Sequence, residues 1–373
     1  EKMEEYFNKS TTQIREMLRE NIRNGMIVQK MQQEIVGDIK IVPADVRRYF
    51  KNLPQAELTL SEGINCFVGD NGAGKTNILD AIHYLSMSKS AFTMTDGQSV
   101  RHGEEFFFTE GNYSSDGGAM EQVVCSFSRR TGKVLKRNGK EYERVADHVG
   151  LFPVVIVSPR DTDLITDAAE ERRRYLNSFI SQLDRVYLNS MMRYNAVLAE
   201  RNRFLKTSSD EAMLQIYDMQ LAEHGTRVYE KRRDMIERMM PMVAEYYRTL
   251  SDDREQVAVE YRSELMEMPM ADVLLRSRER DIVNQFTTAG VHRDDIVFTI
   301  GGYPLRKYGS QGQQKSFLIA LKLAQYRLLA EATGEKPILL LDDLFDKLDM
   351  GRVEKLLSLV GGDDFGQICI TDC

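Results

Sequence analysis

Residues 69–76 leave this chain few folds to choose from. Gly69-Asp70-Asn71-Gly72-Ala73-Gly74-Lys75-Thr76 fits the pattern GxxxxGK[ST], in which glycines let the backbone wrap closely around phosphate oxygens. Successive N–H groups and the positive end of the following helix supply the anion site. The apolar run Ile64-Asn65-Cys66-Phe67-Val68 precedes it and reads as a buried strand. After it, residues 75–87 place Ile78, Ala81, Ile82 and Leu85 on one helical face. A glycine-rich turn that matches by chance would lack this strand–loop–helix context. Gly69, Asp70, Asn71, Gly72, Ala73, Gly74, Lys75, Thr76 and Asn77 are therefore the expected nucleotide-binding residues. Lys75 is expected to reach the β- and γ-phosphates of ATP, and the Thr76 hydroxyl to hold Mg²⁺.

Far downstream, Pro337-Ile338-Leu339-Leu340-Leu341-Asp342-Asp343 forms an apolar strand tipped by two carboxylates. Such strands are common, but a P-loop elsewhere in the chain needs one. Asp342 then supports the metal and Asp343 stands where a general base would orient water. Between these elements lies Tyr308-Gly309-Ser310-Gln311-Gly312-Gln313-Gln314-Lys315, opening a helix with Phe317, Ala320, Leu321, Ala324 and Leu328 on its apolar face. Read alone, Ser310 is an ordinary helix cap. Its position just before the carboxylate-tipped strand is where ABC-type ATPases carry the signature loop that meets the γ-phosphate of a second subunit. That makes Ser310, Gly312 and Gln313 further expected nucleotide contacts, with Ser310, Lys75 and Asp343 as the catalytic set. Leu348-Asp349 occupies the D-loop position of the same class.

The remaining pattern is that of an α/β protein, an ABC-type P-loop ATPase head with a mixed sheet and helices, interrupted by a helical second lobe. Residues 1–35 read as helix and 1–45 as an extra amino-terminal segment; 46–167 form the first part of the head, 168–286 the lobe, and 287–373 the second part. Strands are expected at Ala56–Leu60, Phe106–Thr109, Val123–Phe127, Val134–Arg137, Pro153–Val157 and Ile296–Ile300. Asn138-Gly139 signals a hairpin that returns through Tyr142-Glu143. Net charge is −7, so any nucleic-acid contact must come from local patches. Four scattered cysteines argue for a reducing compartment without a zinc site. No apolar run spans a bilayer and no signal peptide opens the chain, so a cytoplasmic location and no membrane partner are expected.

The motif forms GDNGAGKTN, GSQGQQK and the Asp-Asp strand tip, with Gly290-Val291-His292-Arg293-Asp294-Asp295, Ser158-Pro159-Arg160-Asp161 and Glu170-Glu171-Arg172-Arg173-Arg174, together resemble the RecF family over residues 50–373. The resemblance implies a weak ATPase whose ATP-dependent homodimer clamps DNA at single-strand gaps and junctions in recombinational repair and the SOS response. It also implies RecR and RecO as partners. Arg129-Arg130, Lys133, Lys136-Arg137 and Lys140 on the hairpin, and Arg172–Arg174, Arg201, Arg203 and Lys231–Arg233 on the lobe, are either DNA contacts or solvated charges. His292 either lines the nucleotide edge or dimer seam, or is structural. An ABC transporter subunit would carry a loop nearer LSGGQ and a compact docking domain. Residues 1–53 instead resemble the region that enters the parvulin-type prolyl isomerase domain of SurA-like chaperones. Together with an end at Cys373, short of the family's last strands and helix, this raises the alternative of a fusion product or fragment whose site never assembles.

Overall fold

The structure, a computed structural model, describes residues 56–70, 72–114, 120–251, 255–343 and 348–372. The helix expected over residues 1–35, and the chaperone-like segment 1–53, lie outside them.

The described strands form three sheets. β1 (Ile64–Val68), β6 (Val154–Val157), β10 (Ile338–Asp342) and β11 (Ile368–Asp372) make a wholly parallel sheet in the order β1-β11-β10-β6. β2 (Phe106–Ser114), β3 (Met120–Ser128), β4 (Gly132–Arg137) and β5 (Lys140–Glu141) form an antiparallel meander. β7 (Val257–Arg262), β8 (Asp295–Ile300) and β9 (Tyr303–Pro304) form a smaller antiparallel sheet. The principal helices are α1 (Lys75–Met87), α2 (Ala169–Leu183), α3 (Arg185–Phe204), α4 (Glu211–Ser251), α5 (Met270–Asn284), α6 (Gln311–Thr333) and α7 (Met350–Val360).

The parallel sheet is covered on both faces, which is why its strands are mostly apolar rather than strictly alternating with polar residues. Successive side chains still point to opposite sides. Leu339 and Leu341 of β10, with Ile368 and Ile370 of β11, join the large core shared with α2–α6. Leu340 and Cys369 face the other way, onto Phe67, Ile78 and Leu79. Truncating Leu340 to alanine would cost about 2–5 kcal/mol, since transfer and cavity terms add. The far side of α1 packs Tyr84 and Leu85 against Val123, Cys125 and Leu135 of the meander. α1 is thus clamped between two sheets, and its first turn is fixed where β1 ends.

Three expectations need correction. Ala56–Leu60 forms no strand, although Leu58 and Leu60 do pack on the apolar surface beside α1. The alternation records burial of one face, which a loop lying on a core also requires. The Asn138-Gly139 turn is present, with φ of 51° and 77°, but β4 returns through Lys140–Glu141. Only the Tyr142 N–H continues the ladder, to the Leu135 carbonyl at 3.0 Å. The block 168–286 is not helical throughout, because Val257–Arg262 pairs with β8 and buries Val257, Val259 and Tyr261.

Candidate nucleotide-binding site

The loop between β1 and α1 closes through the Ala73 N–H, which donates to the Asp70 carbonyl at 3.1 Å. Gly74 is the N-cap of α1, with φ 97° and no side-chain cap. Only glycine adopts that backbone without penalty. Asn71 lies outside the described residues. Lys75 Nζ donates to the carbonyls of Gly69 and, at 3.1 Å, Asp70, so the ammonium is folded over the loop it serves. Asn77 N–H bonds to the Gly74 carbonyl at 3.0 Å as the helix begins.

Asp342, at the end of β10 and 4% exposed, meets this loop directly. The Thr76 hydroxyl donates to its Oδ1 at 2.9 Å, and the Thr371 hydroxyl of β11 donates to the same oxygen at 2.8 Å. Thr371 Oγ1 in turn accepts the Asp343 N–H at 3.1 Å. Asp343 is held at φ 45°, a left-handed conformation costly for a residue with a Cβ. Thr371 carried no signal in the sequence. Its place follows from β11 lying between β1 and β10, with Thr371 level with both Phe67 and Asp342. The Thr76 hydroxyl and the Asp342 carboxylate, far apart in sequence, thus meet at one point.

One turn along α1, Asp80 accepts from Ser90 Oγ at 2.7 Å and from the Ala91 N–H at 2.8 Å. Burial holds its carboxyl above the usual range; the neighbouring Arg160 charge pulls it down and Asp342 pushes it up. The loop after β6 is tied to α6 through an ion pair of Asp161 with Lys322 at 2.7 Å.

Ser310 is exposed at the N-terminus of the 23-residue helix α6. Its hydrogen bonds run within a capping box: Ser310 Oγ accepts the Gln313 N–H at 3.3 Å, and Gln313 Oε1 accepts the Ser310 N–H at 2.6 Å. Gly312 is covered by Arg352, whose guanidinium lies 2.5 Å from where a Cβ would stand. Arg352 is anchored on Asp349 at 3.3 Å. The predicted residues thus form two separate groups, one around Thr76 and Asp342, the other around Ser310.

Most basic candidates on the helices are already committed. Arg201 is fully buried and donates to Asp218, Asp281 and Thr287, each at 2.8 Å. Arg232 is buried against Asp294 at 3.2 Å, with further bonds to the Val291 carbonyl and Asn177. Arg172 pairs with Asp295, Arg173 with the Asp294 carbonyl, Arg174 with Glu170 and Glu171, Lys231 with Asp184, and Arg233 with Asp234. On the meander, Lys133 pairs with Asp96, Arg137 with Glu121, and Arg129 donates to the Gly97 carbonyl. Arg130, Lys136 and Lys140 have no ion-pair partner among the described residues. Both ring nitrogens of His292 have partners within the chain: Nδ1 lies 2.8 Å from the Tyr194 hydroxyl and Nε2 is 3.0 Å from the Thr287 carbonyl. A carbonyl only accepts, so Nε2 carries the proton and Nδ1 accepts from Tyr194.

Fold and site define a P-loop ATPase head, and the RecF/RecN/SMC N terminal domain family matches residues 46–371. Within that class, the chain belongs to the RecF family. It is 46% identical over 326 residues to the DNA replication and repair protein RecF of Phocaeicola vulgatus, covering 87% of this chain and 88% of the relative. The RecF of Parabacteroides distasonis is also 46% identical, over 324 residues and the same shares. Among solved structures, the recombination mediator protein RecF-ATP of the RecFOR pathway is 33% identical, with a TM-score of 0.79 over 86% of this chain and 89% of that one.

Proposed function

We propose that this chain is an ATP-dependent DNA-binding clamp of the RecF type, acting in recombinational repair and replication restart at single-strand gaps. The carrying observation is the Thr76–Asp342 contact, which joins the phosphate-binding loop to the carboxylate strand in a chain so similar to RecF. A hydroxyl and a carboxylate on one spot suit a hard divalent cation, so Thr76 and Asp342 would hold Mg²⁺ beside the nucleotide. When bound, magnesium neutralises charge that develops on the phosphates. Gly69–Asn77 cradle the phosphates, Lys75 supplies the fixed positive charge, and Asp343 orients the attacking water.

Ser310, with Gly312 and Gln313, completes the site of a second copy. Hydrolysis is therefore slow and gated by ATP-dependent dimerisation. Residues 46–167 and 287–373 serve as the two parts of the head, and 168–286 as the second lobe. DNA is met through the free cations of the meander, RecR and RecO are the protein partners, and the setting is cytoplasmic. No helix among the described residues is long and apolar enough to cross a membrane.

Analytical ultracentrifugation with and without ATP tests the reading. Ser310→Arg should bind ATP like the parent yet stay monomeric, whereas Lys75→Ala should lose nucleotide binding itself. Unchanged ATP-induced dimerisation of Ser310→Arg would sink it.

A further inference from the structure

We propose that Glu255 is a positioning residue for the Ser310 loop, setting the orientation of the Gln313 amide and through it the capping box that presents Ser310. This rests on the reading above, in which Ser310 acts on the nucleotide of a second copy.

Glu255 stands between the end of α4 and the start of β7. Its Oε2 accepts the Tyr247 hydroxyl of α4 at 2.9 Å, and its Oε1 accepts the Gln313 Nε2 at 2.7 Å. An amide side chain has one accepting and one donating end, and the two are nearly identical in shape. Facing a carboxylate, Gln313 must offer its NH₂. That leaves Oε1 toward the Ser310 N–H, which it accepts at 2.6 Å. Were the amide to flip, its NH₂ would oppose the Ser310 N–H and the reciprocal cap would break. A serine–glutamine box needs no third residue to form, so a carboxylate carried in from the helical lobe does more than cap α6. It selects one of two amide orientations. Burial, then the Glu255 hydrogen bond and charge, push the Tyr247 phenol above its usual range, which keeps it a donor to Glu255.

The opposite flank is held as well. Arg352 closes over Gly312 from the segment that follows Asp342 and Asp343. The loop is thus pinned between a carboxylate from the lobe and a guanidinium from the head. Glu255 need not touch nucleotide to matter: its removal should leave ATP binding by one copy intact and weaken the pairing of two.

The test uses the full chain with Mg²⁺ and ATP. Glu255→Ala should bind a fluorescent ATP analogue within about twofold of the parent, while ATP-induced dimerisation weakens about tenfold, the scale of one charge-assisted hydrogen bond. Glu255→Gln, which still has an oxygen to accept from Gln313, should recover most of the loss. If Glu255→Ala dimerises like the parent while Ser310→Arg does not, Glu255 has no positioning role and the trans reading stands. If Ser310→Arg also dimerises normally, the reading beneath both has failed. Should Glu255→Ala not fold, Gln313→Met removes the amide while keeping the Tyr247–Glu255 bond; normal dimerisation of that variant would equally overturn the proposal.

Discussion

Thr76 and Asp342 stand 266 positions apart in the chain and share a hydrogen bond of 2.9 Å. The contact brings together the only two elements that motif reading required to converge, and Thr371 steadies the acceptor from the far side at 2.8 Å. Asp342→Asn keeps the shape of that side chain and removes its charge. We expect Mg²⁺ to strengthen ATP binding at least tenfold in the parent, on the scale of a charge-assisted contact, and hardly at all in the variant. Titrating a fluorescent ATP analogue with Mg²⁺ and with EDTA reads this directly; a Mg²⁺ effect that survives in the variant means that Asp342 does not support the metal.

Arg130, Lys136 and Lys140 lie on and beside the β3–β4–β5 meander, and none of the three has an ion-pair partner among the described residues. Replacing all three with alanine should weaken DNA binding and flatten its dependence on log salt by about 2–3, since each phosphate contact contributes roughly 0.9 to the slope. Fluorescence anisotropy at several salt concentrations measures both quantities. An unaltered slope would place the DNA on another surface.

Arg201 should behave in the opposite way. Its guanidinium satisfies Asp218, Asp281 and Thr287 in a fully buried setting. Arg201→Met leaves Asp281 buried without its cation, while Arg278 still holds Asp218 at 2.8 Å. Loss of one partner of such a group costs about 3–5 kcal/mol. Denaturant unfolding should show that loss; a variant as stable as the parent would mean the network is not closed in solution.

Much of the site was legible because its signals are local. The loop 69–76, the apolar strand before it and the periodic helix after it need no partner to be recognised, and the same holds for Ser310 at the head of α6. What failed to show is what depends on distant pairing. The strand Val257–Arg262 sits inside a long helical stretch, and its alternation has meaning only once β8 lies beside it. Arg201 and Arg203 look alike in sequence, yet only the first finds carboxylates on two other helices. Thr371 and Glu255 are unremarkable letters whose importance comes from the strand order and from the approach of α4 to α6. Residues 56–60 misled in the other direction, since one-sided burial imitates a strand.

Acid should weaken the fold through its histidines. Burial, followed by nearby Lys89, lowers the His83 imidazole to about 3, and burial lowers His292 to about 4, both from an ordinary 6.5. In each case the unfolded chain takes up the proton first. The stability these groups contribute is complete above pH 6.5 and is lost as pH falls toward the folded values, by up to about 1.4 kcal/mol per pH unit for each histidine. The raised carboxyl of Asp80 works in the opposite sense, so the comparison is best made between parent and variant. His292→Gln should narrow its stability gap to the parent as pH drops from 6.5 to 5. A gap that stays constant over that window would show that His292 titrates normally in the folded chain.

The place of β11 also dictates when, during synthesis, a working site can exist. β1 and β10 are not paired with each other; the strand made of residues 368–372 lies between them and is registered against both. A nascent chain on the ribosome will therefore have displayed its phosphate loop long before anything can dock that loop against Asp342. Until that strand threads between its two neighbours, the growing polypeptide carries the parts of a nucleotide switch without the switch.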